Sequence, residues 1–201
     1  GTSLYGLLNA CLYALWYGGK AMSAGELGCY ASHYSLWQKC IQLDEPIVIL
    51  EDDICLKPHF FERLDFLQAQ GTRLGYVRFM HLHNHCKIPT AYPNISEIDY
   101  LTEGIGTQGY YLTPKVARKF IKASQKWVMP VDWVLDNHYL HGVKNLVIEP
   151  HIIEKNEGMQ DSNITRFGNR KPPILLQLCA KIHRLYVRFY LKIYAYTNKH
   201  P

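Results

Sequence analysis

Apolar residues recur along this chain with two different periods. From Leu4 to Tyr17, Leu4, Leu7, Leu8, Cys11, Leu12 and Leu15 share one helical stripe, with Ser3 as a cap and Gly18-Gly19 as a stop. Ser23-Ala-Gly-Glu26 is a capping-box pattern and opens a second helix that runs to about Leu43. Leu27, Tyr30, Ala31, Tyr34, Trp37 and Ile41 are expected on its buried face, with Glu26, Cys29, Ser32 and His33 around the opposite edge. Asp44-Glu-Pro46 breaks it. The pattern then changes: Ile47 to Leu50 are consecutive apolar residues, mostly β-branched, and predict a strand buried on both faces.

Further on, Pro58 to Gln70 reads as a short helix ended by Gly71, and Tyr76 to His85 alternates as a strand. Lys87 to Glu103 reads as a hairpin or loop, with Pro89, Pro93 and Asn94 as turn formers. The glycine-rich run from Gly104 to Gly109 lacks the spacing and the lysine of a phosphate-binding loop, but its glycines permit close backbone approach to a substrate. Thr113-Pro114 starts a helix to about Lys126, Asp132 caps a short one after Pro130, and Leu146 to Pro150 is a last strand. Interleaved helices and strands predict an α/β fold.

Chemistry enters at Glu51-Asp52-Asp53, which follow the apolar strand with no spacer. Alternation along a strand puts Glu51 and Asp53 on one face and Asp52 on the other. Adjacent carboxylates repel, and a divalent cation such as Mg²⁺ or Mn²⁺ offsets that cost while holding substrate phosphates. Ligands of open α/β sheets bind beyond strand carboxyl ends. The triplet therefore reads as a metal–diphosphate site with Glu51 and Asp53 as ligands. His151, just past the last strand, is a candidate third ligand. His81, His83 and His85 share a face of their strand, but alternate residues stand about 6.6 Å apart, too far to share one metal comfortably.

Composition narrows the picture. Apolar residues at 48% and charged residues at 19% are those of a globular chain. The net charge of +5 is uneven: Ser162 to Pro201 holds eight Lys/Arg and no Asp/Glu, leaving −3 for the remainder. Residues 1–165 thus read as a catalytic domain and 166–201 as a basic tail. Within the tail, Lys181, Arg184, Arg188 and Lys192 form one helical stripe, and Leu175, Leu178, Ile182, Leu185, Phe189 and Ile193 another, with tyrosines at its margins. Such a helix suits an anionic membrane surface. No tyrosine interleaves the cations, so nucleic acid is not an expected partner. No apolar run is long enough to span a membrane. Six irregularly spaced cysteines point to reduced thiols in a cytosol. Two glycosylation-like triplets, at Asn94 and Asn163, are too short a pattern to imply secretion.

Gly25-Glu-Leu-Gly-Cys-Tyr-Ala-Ser-His33, followed by Leu50-Glu-Asp-Asp53, resembles the family-25 glycosyltransferases, which include bacterial lipooligosaccharide galactosyltransferases. The resemblance continues through Gly109-Tyr-Tyr-Leu-Thr-Pro-Lys and Pro130-Val-Asp132, so it covers roughly Met22 to Ile153. It implies a glycosyltransferase-A-like mixed sheet flanked by helices. It also implies a UDP-sugar donor, often UDP-galactose, a divalent metal at the acidic strand end, inversion at the sugar carbon and a lipid-linked oligosaccharide acceptor. Relatives usually open with a strand well before the region matching Met22, whereas the residues before Met22 here read as helix. The chain also begins without Met. A processed or truncated N-terminus is therefore expected.

In an inverting transfer a carboxylate takes the acceptor proton while the metal screens the diphosphate. Asp132 is the candidate base and Asp136 the runner-up. Glu26, Ser32, His33 and Asp52 are candidate donor-binding residues. The expected setting is cytoplasmic, peripheral on the inner face of the cytoplasmic membrane. The competing readings are a metal-dependent hydrolase using the histidine strand, and a truncated non-catalytic relative that binds a membrane or a partner.

Overall fold

The computed structural model describes residues 22–70, 72–83, 87–98, 105–127, 129–156 and 158, and scattered helical positions of 174–196. The helix expected over Leu4 to Tyr17 lies outside the described residues, as do His85, Asn163 and the start of the tail. Five helices are described in the body of the chain: α1 (Ala24–Leu43), α2 (Phe60–Ala69), α3 (Pro114–Ala123), α4 (Val131–Asp136) and α5 (His138–His141). The strands are β1 (Ile47–Leu50), β2 (Ile54–Leu56), β3 (Tyr76–Arg78), β4 (Lys87–Pro89), β5 (Ile95–Ile98), β6 (Gly109–Leu112), β7 (Leu146–Ile148) and β8 (Ile153–Lys155).

Six strands make one mixed sheet in the order β1-β6-β3-β7-β5-β4, and β2 pairs with β8 separately. Among the described residues, only β3 and β7 pair in parallel. Because β6 is antiparallel to both β1 and β3, strands β1, β3 and β7 run the same way. Their carboxyl ends therefore lie along one sheet edge. The sheet is flanked by helices, as a glycosyltransferase-A-like fold requires.

Side-chain alternation divides the core. Tyr76 and Tyr110 face α1, α3 and α4 together with Trp37, Phe120 and Leu135. Val77, Phe79 and Tyr111 face the other way, onto Phe60 and Leu67 of α2 and Ile153 of β8. Two helix starts follow local rules. Ser23 and Glu26 make the full capping box. Pro114 occupies the first turn of α3, while the Thr113 hydroxyl donates to the Gly75 carbonyl instead of capping.

Four expectations need correction. Strand β1 is not buried on both faces: it is the edge strand among the described residues, with Ile49 2% exposed but Leu50 39%. The strand expected over Tyr76 to His85 ends at Arg78, and the His81 ring nitrogen bonds the His83 carbonyl, so His81 and His83 are not stacked along a strand face. Helix α1 is rotated from its expected setting, burying His33 and Cys40 and leaving Leu27 and Ala31 exposed. Asp132 does not cap α4. Pro130 holds the cap position, and Asp132 sits in the first turn, accepting from its neighbour Trp133 N–H at 2.9 Å.

Two buried histidines tie folding to pH. The His141 Nδ1 atom accepts from the Val143 N–H at 3.0 Å, so its proton is on Nε2, which donates to the Val134 carbonyl at 3.0 Å. Burial, helped by neighbouring cations, lowers the His138 pKa from 6.5 to about 4; burial likewise lowers His141 to about 3. The unfolded chain binds protons at these rings below about pH 6.5 while the folded chain does not, so stability falls as pH drops through that range. At about 1.4 kcal/mol per unit of pKa difference, the loss amounts to several kcal/mol. The urea midpoint should fall between pH 7 and pH 5, and His141→Phe should flatten that slope. A midpoint independent of pH would contradict this.

Candidate active site

The site is built on a loop held from beneath. Arg78 and Asp136 form an ion pair at 2.7 Å, with side chains 2% and 1% exposed. The same guanidinium donates to the Gly106 carbonyl and to Asn145 Oδ1, and Asp136 Oδ2 accepts from the Ile105 N–H at 3.2 Å. The loop at 105–108 is thus fastened at two backbone positions. Gly106 has φ +91, a conformation that L side chains rarely adopt, and a Cβ there would meet the end of the Gln108 side chain. Gly109, by contrast, is packed against the core side chains Leu50, Phe79 and Ile153, so its close approach is to the protein and not to a substrate.

This loop holds Glu51. The Glu51 N–H donates to the Gln108 carbonyl at 2.9 Å, and the Thr107 hydroxyl donates to Glu51 Oε1. The same oxygen lies 3.6 Å from His33 Nε2. Burial pushes the Glu51 carboxyl up, but the contacts with His33 and Thr107 outweigh it and hold the pKa below the ordinary value.

His33 is positioned by a chain of polar groups. The Trp37 indole can only donate, and it donates to the Tyr110 hydroxyl at 2.9 Å. That hydroxyl pairs with His33 Nδ1 at 2.7 Å. Burial raises the Tyr110 pKa well above its ordinary value, so the phenol keeps its proton. With Nδ1 held by Tyr110, Nε2 is the ring nitrogen that faces Glu51.

Asp132 and Cys29 complete this side. Burial raises the Asp132 pKa, against the Trp133 N–H and the Arg78 charge, which lower it. Burial, then Glu51 and Asp132, raises the Cys29 thiol to about 12. Glu26 adds a repulsive charge on Asp132. Its own carboxylate accepts from the Ser23 N–H at 2.7 Å. Ser32 is exposed and its hydroxyl donates to the Gly28 carbonyl within α1.

The acidic triplet does not extend the strand. Glu51 lies one residue past β1, and Asp52 and Asp53 form the turn into β2, so the turn and not alternation sets their directions. Asp52 is exposed. Asp53 Oδ1 is buried with no hydrogen-bond partner among the described residues, while the Asp53 carbonyl accepts from the Asn156 N–H. A buried, unsatisfied carboxylate oxygen is what a bound cation would relieve, so the residues fit a divalent metal.

Two candidates stand elsewhere. The Asp136 carboxylate is taken up by Arg78 and Ile105 and is sealed from a substrate hydroxyl. The His151 ring packs edge-on against His81, with centroids 4.3 Å apart, outside the group formed by Cys29, His33 and Glu51. The sequence alone assigns no role to Arg78, Thr107, Tyr110 or Cys29. The one available signal for Cys29 is its spacing of four residues from His33 on α1.

A family profile described as "Glycosyltransferase family 25 (LPS biosynthesis protein)" matches residues 9–135. The span includes every candidate from Glu26 to Asp132; Asp136 and His151 lie past it. A protein of Anopheles gambiae named glycosyltransferase 25 family member is 29% identical over 128 residues, covering 59% of this chain and 22% of that protein. The procollagen galactosyltransferase 2 of Homo sapiens is 31% identical over 133 residues, covering 61% of this chain and 21% of that protein. A Mus musculus protein named inactive glycosyltransferase 25 family member 3 is 38% identical over 52 residues, covering 25% of this chain and 9% of that protein. The chain spans less than a quarter of the length of these relatives.

Proposed function

We propose a reaction from one premise: the chain belongs to glycosyltransferase family 25. The reaction is transfer of a hexose, galactose first, from a UDP-sugar to a hydroxyl of a lipid-linked oligosaccharide, with inversion. The observation that carries the catalytic part is the unsatisfied Asp53 Oδ1 in the turn just after Glu51. Galactose is favoured because the procollagen relative is named a galactosyltransferase. The lipid-linked acceptor is favoured by the family's description as an LPS biosynthesis protein.

Asp53 and Glu51 would hold Mn²⁺ or Mg²⁺, which when bound offsets charge on the diphosphate leaving group. Thr107 and the Gln108 carbonyl keep Glu51 aimed. Asp132 is the base. Its raised pKa makes it a better proton acceptor than an exposed carboxylate. The acceptor oxygen attacks the anomeric carbon, the bond from that carbon to the phosphate oxygen breaks, and the electron pair leaves on UDP. The acceptor proton goes to Asp132. On this reading Asp52 and Ser32, both exposed, contact the donor together with Glu26 and His33 of α1.

The described residues of the tail support a membrane-surface role. Ile174, Leu178, Ile182, Leu185, Phe189 and Ile193 are helical, exposed and spaced by three or four, and Phe189 is 64% exposed. Lys181, Arg188 and Lys192 are likewise helical and exposed. Apolar and cationic groups together match the acyl boundary and headgroups of an anionic leaflet. No helix among the described residues is long and apolar enough to cross a membrane. On this reading the protein works on the inner face of the cytoplasmic membrane. A second acceptor, a hydroxyl on a collagen-like polypeptide, is favoured by the name of the human relative.

UDP release from UDP-galactose with Mn²⁺ should require an acceptor, and Asp53→Asn and Asp132→Asn should each lower it by about 10²–10⁴-fold with unchanged circular dichroism. Turnover retained in Asp53→Asn would remove the cation assignment, and free sugar released without an acceptor would make the protein a hydrolase. Failure to bind UDP with Mn²⁺ would make it a non-catalytic relative. Separately, the full chain should co-sediment with anionic vesicles, and Phe189→Asp with Lys192→Glu should release it. Equal sedimentation of that variant would count against the surface helix.

A further inference from the structure

We propose that Cys29, His33 and Glu51 form a zinc site where α1 meets the end of β1. Among the described residues, one ligand atom from each lies within 4.8 Å of the other two. The cause is local. Cys29 and His33 stand one helical turn apart and project from the same side of α1. The chain leaving β1 brings Glu51 to that side. Tetrahedral zinc, with bonds of about 2.0–2.3 Å, needs ligand atoms roughly 3.3–3.8 Å apart. His33 Nε2 and Glu51 Oε1 already stand 3.6 Å apart. Closure then asks the Cys29 thiol to move by about 1 Å, which its single side-chain torsion supplies.

The donor set selects the metal. Thiolate and imidazole favour Zn²⁺, whereas the Asp53 turn offers only oxygen, suited to Mn²⁺ or Mg²⁺. Three protein ligands leave a fourth position for water. Tyr110 supplies the outer contact that a metal-bound histidine needs: in the tautomer with its proton on Nδ1, the ring donates to the Tyr110 oxygen, 2.7 Å away. The Nε2 lone pair is then free for the metal. Binding releases one proton, from the Cys29 thiol to solvent. The ion would clamp α1 to the strand end that carries the acidic turn.

Metal-stripped full-length protein titrated with Co²⁺ should develop a thiolate charge-transfer band in the near ultraviolet. Cys29→Ser should lose the band and bind Zn²⁺ at least about tenfold more weakly, since losing even an outer-shell partner of a ligand costs about that much. Asp53→Asn should leave both unchanged. In the wild-type protein, Zn²⁺ should shield Cys29 from alkylation, read by peptide mass, which needs no variant to fold. Absence of the band, equal Zn²⁺ affinity in Cys29→Ser, or unshielded Cys29 would overturn the site. Loss of the band in Asp53→Asn would assign the metal to the acidic turn and overturn it equally. Catalytic activity enters none of these readings, so a failed transfer assay leaves the zinc test intact.

Discussion

The buried ion pair between Arg78 and Asp136 is the constraint on which the site depends. Two opposite charges taken out of water are tolerated only when their remaining hydrogen-bonding capacity is met. Here much of it is met by backbone: the Gly106 carbonyl accepts from the guanidinium, and the Ile105 N–H donates to the carboxylate, while Arg78 Nε has no hydrogen-bond partner among the described residues. Asn145 ties the pair to the entry of β7, donating to the Asp136 carbonyl at 2.8 Å. Removing one partner would leave the other charged and unpaired, at a cost of about 3–5 kcal/mol. The pair therefore does more than join β3 to α4. It fixes the loop whose Thr107 and Gln108 hold Glu51.

A second polar chain fixes the other wall. Trp37, Tyr110 and His33 pass hydrogen bonds from the centre of α1 to the edge of the acidic site. These groups sit in a core otherwise made of aromatic and aliphatic side chains, where an unmet donor costs about 1–3 kcal/mol. The face of α1 that turns inward is consequently the one that satisfies Tyr110, not the one richest in leucine. Carboxylates, a thiol and an imidazole converge because two such networks, one under the loop and one under the helix, meet at the end of β1.

Much of the fold was legible because its signals are local. The capping box at Ser23, the proline opening α3 and the turn formers between β4 and β5 each act within a few residues. The acidic turn was legible as a site because charge follows an apolar strand without a spacer. What escaped depends on distant residues. The short strands β2 and β8 pair Ile54 with Lys155, and three residues carry too little periodicity to announce a strand. Alternation failed for Asp52 and Asp53 because the chain turns immediately after Glu51. Asp136 read as a free carboxylate one helical turn from Asp132, and only the fold reveals Arg78 beneath it. Leu27 gave way to His33 on the inner face of α1 for the same reason: the partner, Tyr110, arrives from β6.

The family relationship and this geometry meet at a strand end, where one supported carboxylate and one unsatisfied carboxylate stand two residues apart. The central claim is that the support reaches Glu51 through the loop at 105–108 from the buried pair. It is tested most directly by amide hydrogen exchange in wild type and Asp136→Asn under folded conditions. An amide side chain accepts through only one of its two terminal atoms, so it cannot serve both Arg78 and the Ile105 N–H as the carboxylate does. The account predicts that the Ile105 and Glu51 amides lose protection while those of β6 keep theirs. Unchanged protection at Glu51 in a folded variant would contradict it.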